Sequence, residues 1–104
     1  MKHARHILLA ALVLLAGATT ALAQDGCYAD YKAKRADTQT GKLELHYGVV
    51  RLAPPLCKDR EAAAQDVSRR IAVDGWTLLR ILSTFSGDDL KKKRDDAADY
   101  FLRY

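Results

Sequence analysis

Three groups of side chains in this 104-residue chain could carry chemistry. They are the cysteines Cys27 and Cys57, the histidine His46 with its neighbours Glu44 and Tyr47, and the charged stretch from Asp88 to Asp96. The cysteines have 29 residues between them, far from the C-x-x-C spacing of a redox-active pair. In an oxidising compartment, an even pair in a small domain reads as a structural disulfide. Closing a loop of about 30 residues stabilises a fold by roughly 3–4 kcal/mol in the chain-entropy model. His46, set against Glu44 or Tyr47, offers the parts of an acid–base pair for a small enzyme or an enzyme's accessory subunit. Its place in the polar half of an alternating strand instead predicts a surface histidine. With both cysteines in a bridge, neither a metal site nor a nucleophile–His–acid set has enough members. No catalytic residue, metal ligand or cofactor is therefore expected.

Asp88-Asp89 and Asp95-Asp96 bracket the basic run Lys91-Lys92-Lys93-Arg94. Adjacent acids do not face each other across a scissile bond, as glycoside hydrolysis requires, so this pattern predicts a solvated face. Contact of Lys91–Arg94 with an anionic envelope surface is the alternative use of the run. The chain has no glycine-rich phosphate loop, zinc-protease motif or nucleophile elbow. These absences point to a non-enzymatic domain.

The first 23 residues decide which of these side chains are retained. A basic head (Lys2, His3, Arg5, His6), an apolar run from Ile7 to Ala16 and the small-residue end Ala21-Leu22-Ala23 form the pattern of a cleavable signal peptide. The run is too short, and too broken at Gly17, Thr19 and Thr20, for a spanning helix of about 20 apolar residues. Gln24-Asp25-Gly26 is too polar for lipoprotein processing at Cys27. Cleavage after Ala23 leaves 81 residues, Gln24 to Tyr104, as one domain without a transmembrane anchor in the periplasm or outside the cell. His3 and His6 leave with the leader, as do Lys2 and Arg5. The mature chain then carries 15 Lys/Arg against 13 Asp/Glu, a net charge of +2, too balanced to imply nucleic acid.

The mature chain must position what remains. Cys27, Ala29, Tyr31 and Ala33 alternate with polar residues through Arg35, a half-buried strand. Turn formers fill residues 36–42, and Leu43, Leu45, Tyr47 and Val49 resume the alternation. Pairing Ala33 with Leu45 and Tyr31 with Tyr47 places every apolar residue of this hairpin on one face. A bulge is expected at Gly48-Val49-Val50, and Pro54-Pro55 ends the strand. Asp59 is a fitting N-cap for a helix over about 59–73, with Gly75 in the left-handed position beyond it. Residues 76–85 are apolar on both faces, with Trp76, Leu78 and Leu82 on one side and Leu79, Ile81 and Phe85 on the other. A short helix near 88–97 and a last strand over 99–104 complete the chain. The predicted fold is α+β: a small antiparallel sheet of about four strands in β-β-α-β-β order, packed against one main helix.

The segments Arg70-Ile71-Ala72-Val73-Asp74-Gly75-Trp76-Thr77-Leu78-Leu79 and Tyr100-Phe101-Leu102-Arg103-Tyr104 resemble small exported proteins of alphaproteobacterial type. In that group a Cys-Tyr-Ala-Asp-Tyr-Lys-Ala start and a Leu-His-Tyr-Gly-Val strand recur. More distantly, the helix–Asp-Gly-Trp–strand step is similar to a family of small domains of unknown function with a helix–Glu-Gly-Trp–strand pattern. Neither resemblance implies an activity or transfers a functional residue; both imply this fold and compartment. The composite expectation is a domain that binds a protein or ligand, or self-associates, through its sheet. Tyr28, Trp76, Leu79, Ile81 and Phe85 are its expected contact surface, because one helix cannot cover a strand apolar on both sides. The expected partner is another protein or a second copy of the chain.

Overall fold

The computed structural model describes residues 26–104, so the signal peptide expected over 1–23 lies outside the described residues. Three ten-residue strands, β1 (Cys27–Ala36), β2 (Leu43–Leu52) and β3 (Thr77–Ser86), form one antiparallel sheet in the order β2-β1-β3. Between β2 and β3 the chain makes a 3-10 turn (Pro54–Lys58) and the main helix α1 (Arg60–Ile71). After β3 come a 3-10 turn (Gly87–Asp89), the short helix α2 (Leu90–Ala97) and a last 3-10 turn (Ala98–Tyr100). The fold is α+β.

Local chemistry accounts for the helix. Asp59 accepts a hydrogen bond from the Ala62 amide at 3.0 Å, Glu61 sits in the first turn, and Arg69 and Arg70 occupy the last. Both ends thus complement the helix dipole. The α-helix stops at Ile71, two residues short of the expected end, and one 3-10 turn carries the chain to Gly75. That glycine has φ 83°, a conformation other residues adopt only with strain. Ala63, Val67 and Ile71 are fully buried against Ala29, Tyr31, Ala33, Val50, Leu52, Trp76 and Ile81. Cys27 and Cys57 form a disulfide, with Cα atoms 5.9 Å apart, that ties the start of β1 to the turn before α1.

Three expectations are corrected. First, β2 pairs one residue away from the expected register: Ala33 faces His46 and Tyr31 faces Gly48, without a bulge anywhere along the pair. A one-residue slip sends every side chain to the opposite face. His46, Val50 and Leu52 therefore turn toward α1, while Leu43, Leu45 and Tyr47 turn away. The Tyr31 ring explains the choice. It lies flat over Gly48, where any Cβ would overlap its Cζ and hydroxyl. Only the glycine can face it.

Second, the irregularities fall in β3, where the pairing with β1 shifts between Asp30 and Tyr31 and again between Lys32 and Ala33. Leu82 and Leu79 are the extra residues, so the period of two breaks twice. Ile81 joins Leu78 and Trp76 in the core instead of facing away from them. Third, residues 99–104 form no fourth strand. Ala98 and Leu102 have φ values of 48° and 54°, which bend the chain away from an extended path. Phe101 makes a single parallel bridge to Val49, and the Leu102 amide donates to the Val49 carbonyl at 2.9 Å.

Candidate functional site

His46 lies on the α1 side of the sheet and is 8% exposed. Its Nε2 is 2.9 Å from the hydroxyl of the fully buried Tyr31. The Tyr100 ring stacks on it at 3.7 Å, the Trp76 ring meets it edge-on at 4.2 Å, and Tyr104 lies beyond at 6.5 Å. Arg35 covers Trp76 at 4.1 Å. Burial, reinforced by Arg35 and Arg103, pushes the His46 pKa down to about 4. The imidazole is neutral at physiological pH, and its Nδ1 has no hydrogen-bond partner. Neither expected catalytic partner reaches it: Glu44 pairs with Arg35 at 3.3 Å, and Tyr47 is on the opposite face of the sheet. The ring anchors the closing segment. Arg70 adds to that anchor by donating to the carbonyls of Arg51 and Tyr104 at 2.8 and 2.7 Å.

The opposite face centres on Asp30, which is 4% exposed. Three donors converge on its carboxylate: Ser83 Oγ at 2.6 Å, the Tyr47 hydroxyl at 2.8 Å and Lys93 Nζ at 2.9 Å. Burial alone would raise the Asp30 pKa; the bonds from Ser83, Lys93 and Tyr47 outweigh it and hold the carboxyl below its ordinary range. The Tyr47 hydroxyl, buried and bonded to an anion, is pushed up. Lys93 also lies 4.9 Å over the Phe85 ring, which stacks on Tyr28. The cluster fastens α2 to one end of the sheet. Ser83 donates to the carboxylate from β3 and Lys93 from α2, so the group clamps the two elements together.

These contacts also account for the basic run. Lys93 is paired with Asp30, Lys92 lies 3.8 Å from Asp89, and Arg94 covers Phe101 at 5.1 Å. Lys91 and Arg94 have no ionic partner among the described residues, and a second group of such charges lies on the sheet. On the outer face beyond α2, Lys32 stands directly across from Arg80, and Lys34 across from Leu45 and Thr77. All three cations are exposed, and none has an ionic partner among the described residues. Leu45 and Leu43 lie beside them, 66% and 64% exposed. Like charges facing each other across strands destabilise a sheet, and exposed leucines add nothing to its solubility.

Of the five expected contact residues, Tyr28, Trp76 and Ile81 are buried within the single chain and Phe85 is half-buried against Tyr28. Leu79 alone is well exposed, at 48%. Residues the sequence reading did not single out, Lys32, Lys34, Leu43, Leu45 and Arg80, make up the open half of the outer face. The alternation already put both lysines on one strand face; joining Arg80 to them required the pairing of β1 with β3.

Fold and surface together define a small disulfide-tied α+β domain with one half-open sheet face. No protein-family model matches the chain, and neither a curated protein nor a solved structure is significantly similar to it.

Proposed function

We propose that this chain is an exported, non-enzymatic domain that binds its partner through the half of the sheet that α2 leaves open. One observation carries the reading: unpaired Lys32, Lys34 and Arg80 share that face with exposed Leu43 and Leu45. An interaction surface is where such side chains gain energy. The leader pattern of residues 1–23 and the Cys27–Cys57 disulfide support export, since disulfides persist in oxidising compartments. The engagement of His46 by Tyr31 and Tyr100, and of Ser83 by Asp30, supports a binding role over a catalytic one.

Lysine footprinting tests the reading. The protein is acetylated with and without an envelope extract, and modification is read lysine by lysine by mass spectrometry. Protection of Lys32 and Lys34, with Lys58 and Lys91 unchanged, is the expected result. Uniform modification, or protection confined to Lys58 or Lys91, refutes it. The N-terminus of the exported protein, read in the same experiment, should be Gln24.

A further inference from the structure

Building on that reading, we infer that the partner of the open face is an anionic phospholipid bilayer, met by the hairpin end of the sheet. Large exposed apolar side chains gather there. Leu43 pairs with Ala36 next to the hairpin turn and Leu45 pairs with Lys34. Leu79 sits in the bulge between Leu78 and Arg80, which pair with Ala33 and Lys32. Val73, 77% exposed, belongs to the turn that Arg35 ties to the hairpin through a 2.8 Å bond to the Asp74 carbonyl.

Cations surround these residues. Lys32, Lys34, Lys42 and Arg80 are exposed and have no ionic partner among the described residues. The acids of the same end are already engaged. Glu44 holds Arg35, Asp74 accepts from the Tyr104 hydroxyl at 2.7 Å, and Asp37 accepts from the Gln39 and Thr40 amides of its own turn. Asp37 and Asp74 keep their charge in these bonds, but Lys32, Lys34, Arg35, Lys42 and Arg80 outnumber Asp37, Glu44 and Asp74, so the local field is positive and its complement is an extended negative surface.

The shape of the patch distinguishes a bilayer from other anions. Arg80 borders a cleft along the β3 edge, but it shares that cleft with the carboxylate of Glu61, whereas Lys32, Lys34, Leu43 and Leu45 line none of the described cavities; the patch therefore does not gather its cations around one concavity for a single phosphate or carboxylate. It spans all three strands instead of following one free edge, as an added peptide strand would. Lysines among leucines on a flat face match the two layers of a membrane surface: anionic headgroups for the ammonium groups and the acyl boundary for the apolar side chains. The run Lys91–Arg94 is a poorer candidate because Lys92 and Lys93 are already ion-paired and Arg94 lies over Phe101, which leaves Lys91 alone without a contact of this kind.

Vesicle sedimentation tests the inference, using the protein recovered from the export compartment. It should bind vesicles of equimolar phosphatidylcholine and phosphatidylglycerol, release them as salt rises, and ignore pure phosphatidylcholine. Each of Lys32→Gln, Lys34→Gln and Arg80→Gln should weaken binding about fivefold, and the three together on the order of a hundredfold. Lys91→Gln with Lys92→Gln should leave it nearly unchanged. Because a multiple variant can lose its fold, a Leu45→Trp variant gives a second readout: brominated lipid should quench its fluorescence, while the wild-type protein, whose Trp76 is buried, is quenched little. Failure to bind anionic vesicles, or equal weakening by the Lys91/Lys92 variant, overturns the inference. If vesicles fail while lipid-free envelope protein still protects Lys32 and Lys34 from acetylation, the open face stands as the binding surface and its partner is a protein. If both fail, the proposed function falls as well.

Discussion

Lowering the pH should destabilise this domain through the one buried histidine. In the fold, the His46 pKa is held at about 4 by burial and by Arg35 and Arg103, against 6.5 for the free side chain. Above pH 6.5 the ring is neutral in both states and costs nothing. Between 6.5 and 4 the unfolded chain takes up a proton that the folded chain refuses, so stability falls as the pH falls. Each pH unit in that window removes about 1.4 kcal/mol, and the full window removes on the order of 3 kcal/mol. That is a large share of the roughly 5–15 kcal/mol that holds a typical domain together. The Asp30 carboxylate, held below its ordinary range, adds its own loss only at still lower pH, so the two effects separate. Urea unfolding from about pH 7 to about pH 4, with the His46 ring followed by NMR, measures both slope and midpoint. A His46→Gln variant keeps a polar group near Tyr31 but cannot titrate; its stability should be lower at neutral pH and much flatter through the window. A His46 midpoint near 6.5, or parallel pH profiles for variant and wild type, refutes this account of the ring.

Two further outcomes follow from the packing. Gly48→Ala places a Cβ inside the Tyr31 ring and should destabilise the domain by about 3 kcal/mol or more, whereas Gly41→Ala, in open space at φ 71°, should cost only about 1 kcal/mol of backbone strain; paired thermal melts compare them. Reduction of the Cys27–Cys57 bridge, which spans 30 positions, should lower stability by about 3–4 kcal/mol, read as a shift in urea midpoint with and without reductant; an unchanged midpoint would show that the loop gains nothing from closure.

Whether an element was legible in the sequence depended on how local its determinants were. The cap at Asp59, the stop at Gly75 and the strand from Cys27 are written in neighbouring residues, and each stands within a few positions of where pattern alone puts it. The register of β2 is not local. Leu43, Leu45, Tyr47 and Val49 make one face with apolar residues, and His46, Val50 and Leu52 make the other with nearly as good a claim. Alternation cannot choose between them. A contact across strands does, because the Tyr31 ring needs the bare Gly48 beneath it. The bulges at Leu79 and Leu82 likewise arise from fitting β3 to β1, and no periodicity within β3 announces them. At the C-terminus, Tyr100, Leu102 and Tyr104 imitate a strand, yet the rings are spent on His46. Composition marked Lys91–Arg94 as the basic feature of the chain, because sequence shows where charge is but not which charges are already paired.

The open half of the outer face is a consequence of length, and its composition sets it apart from an ordinary solvated surface. A helix of eight residues is about 12 Å long, whereas a strand of ten spans about 33 Å, so α2 can cover less than half of the sheet it lies on. Its anchor fixes which part: Lys93 reaches Asp30, and the strands beyond Lys32 are left bare. A face that merely met water would carry mixed charges and few large apolar groups. This one has Lys32 set against Arg80, while the acids of the neighbouring strands are taken up elsewhere, Asp30 by Lys93 and Glu44 by Arg35, and it leaves Leu43 and Leu45 in solvent. Reversing the β2 register would hide those leucines against α1, but Tyr31 and Gly48 prevent it. The same contact that seats His46 in the core therefore keeps the leucines outside, beside the cations, where they are available to a partner.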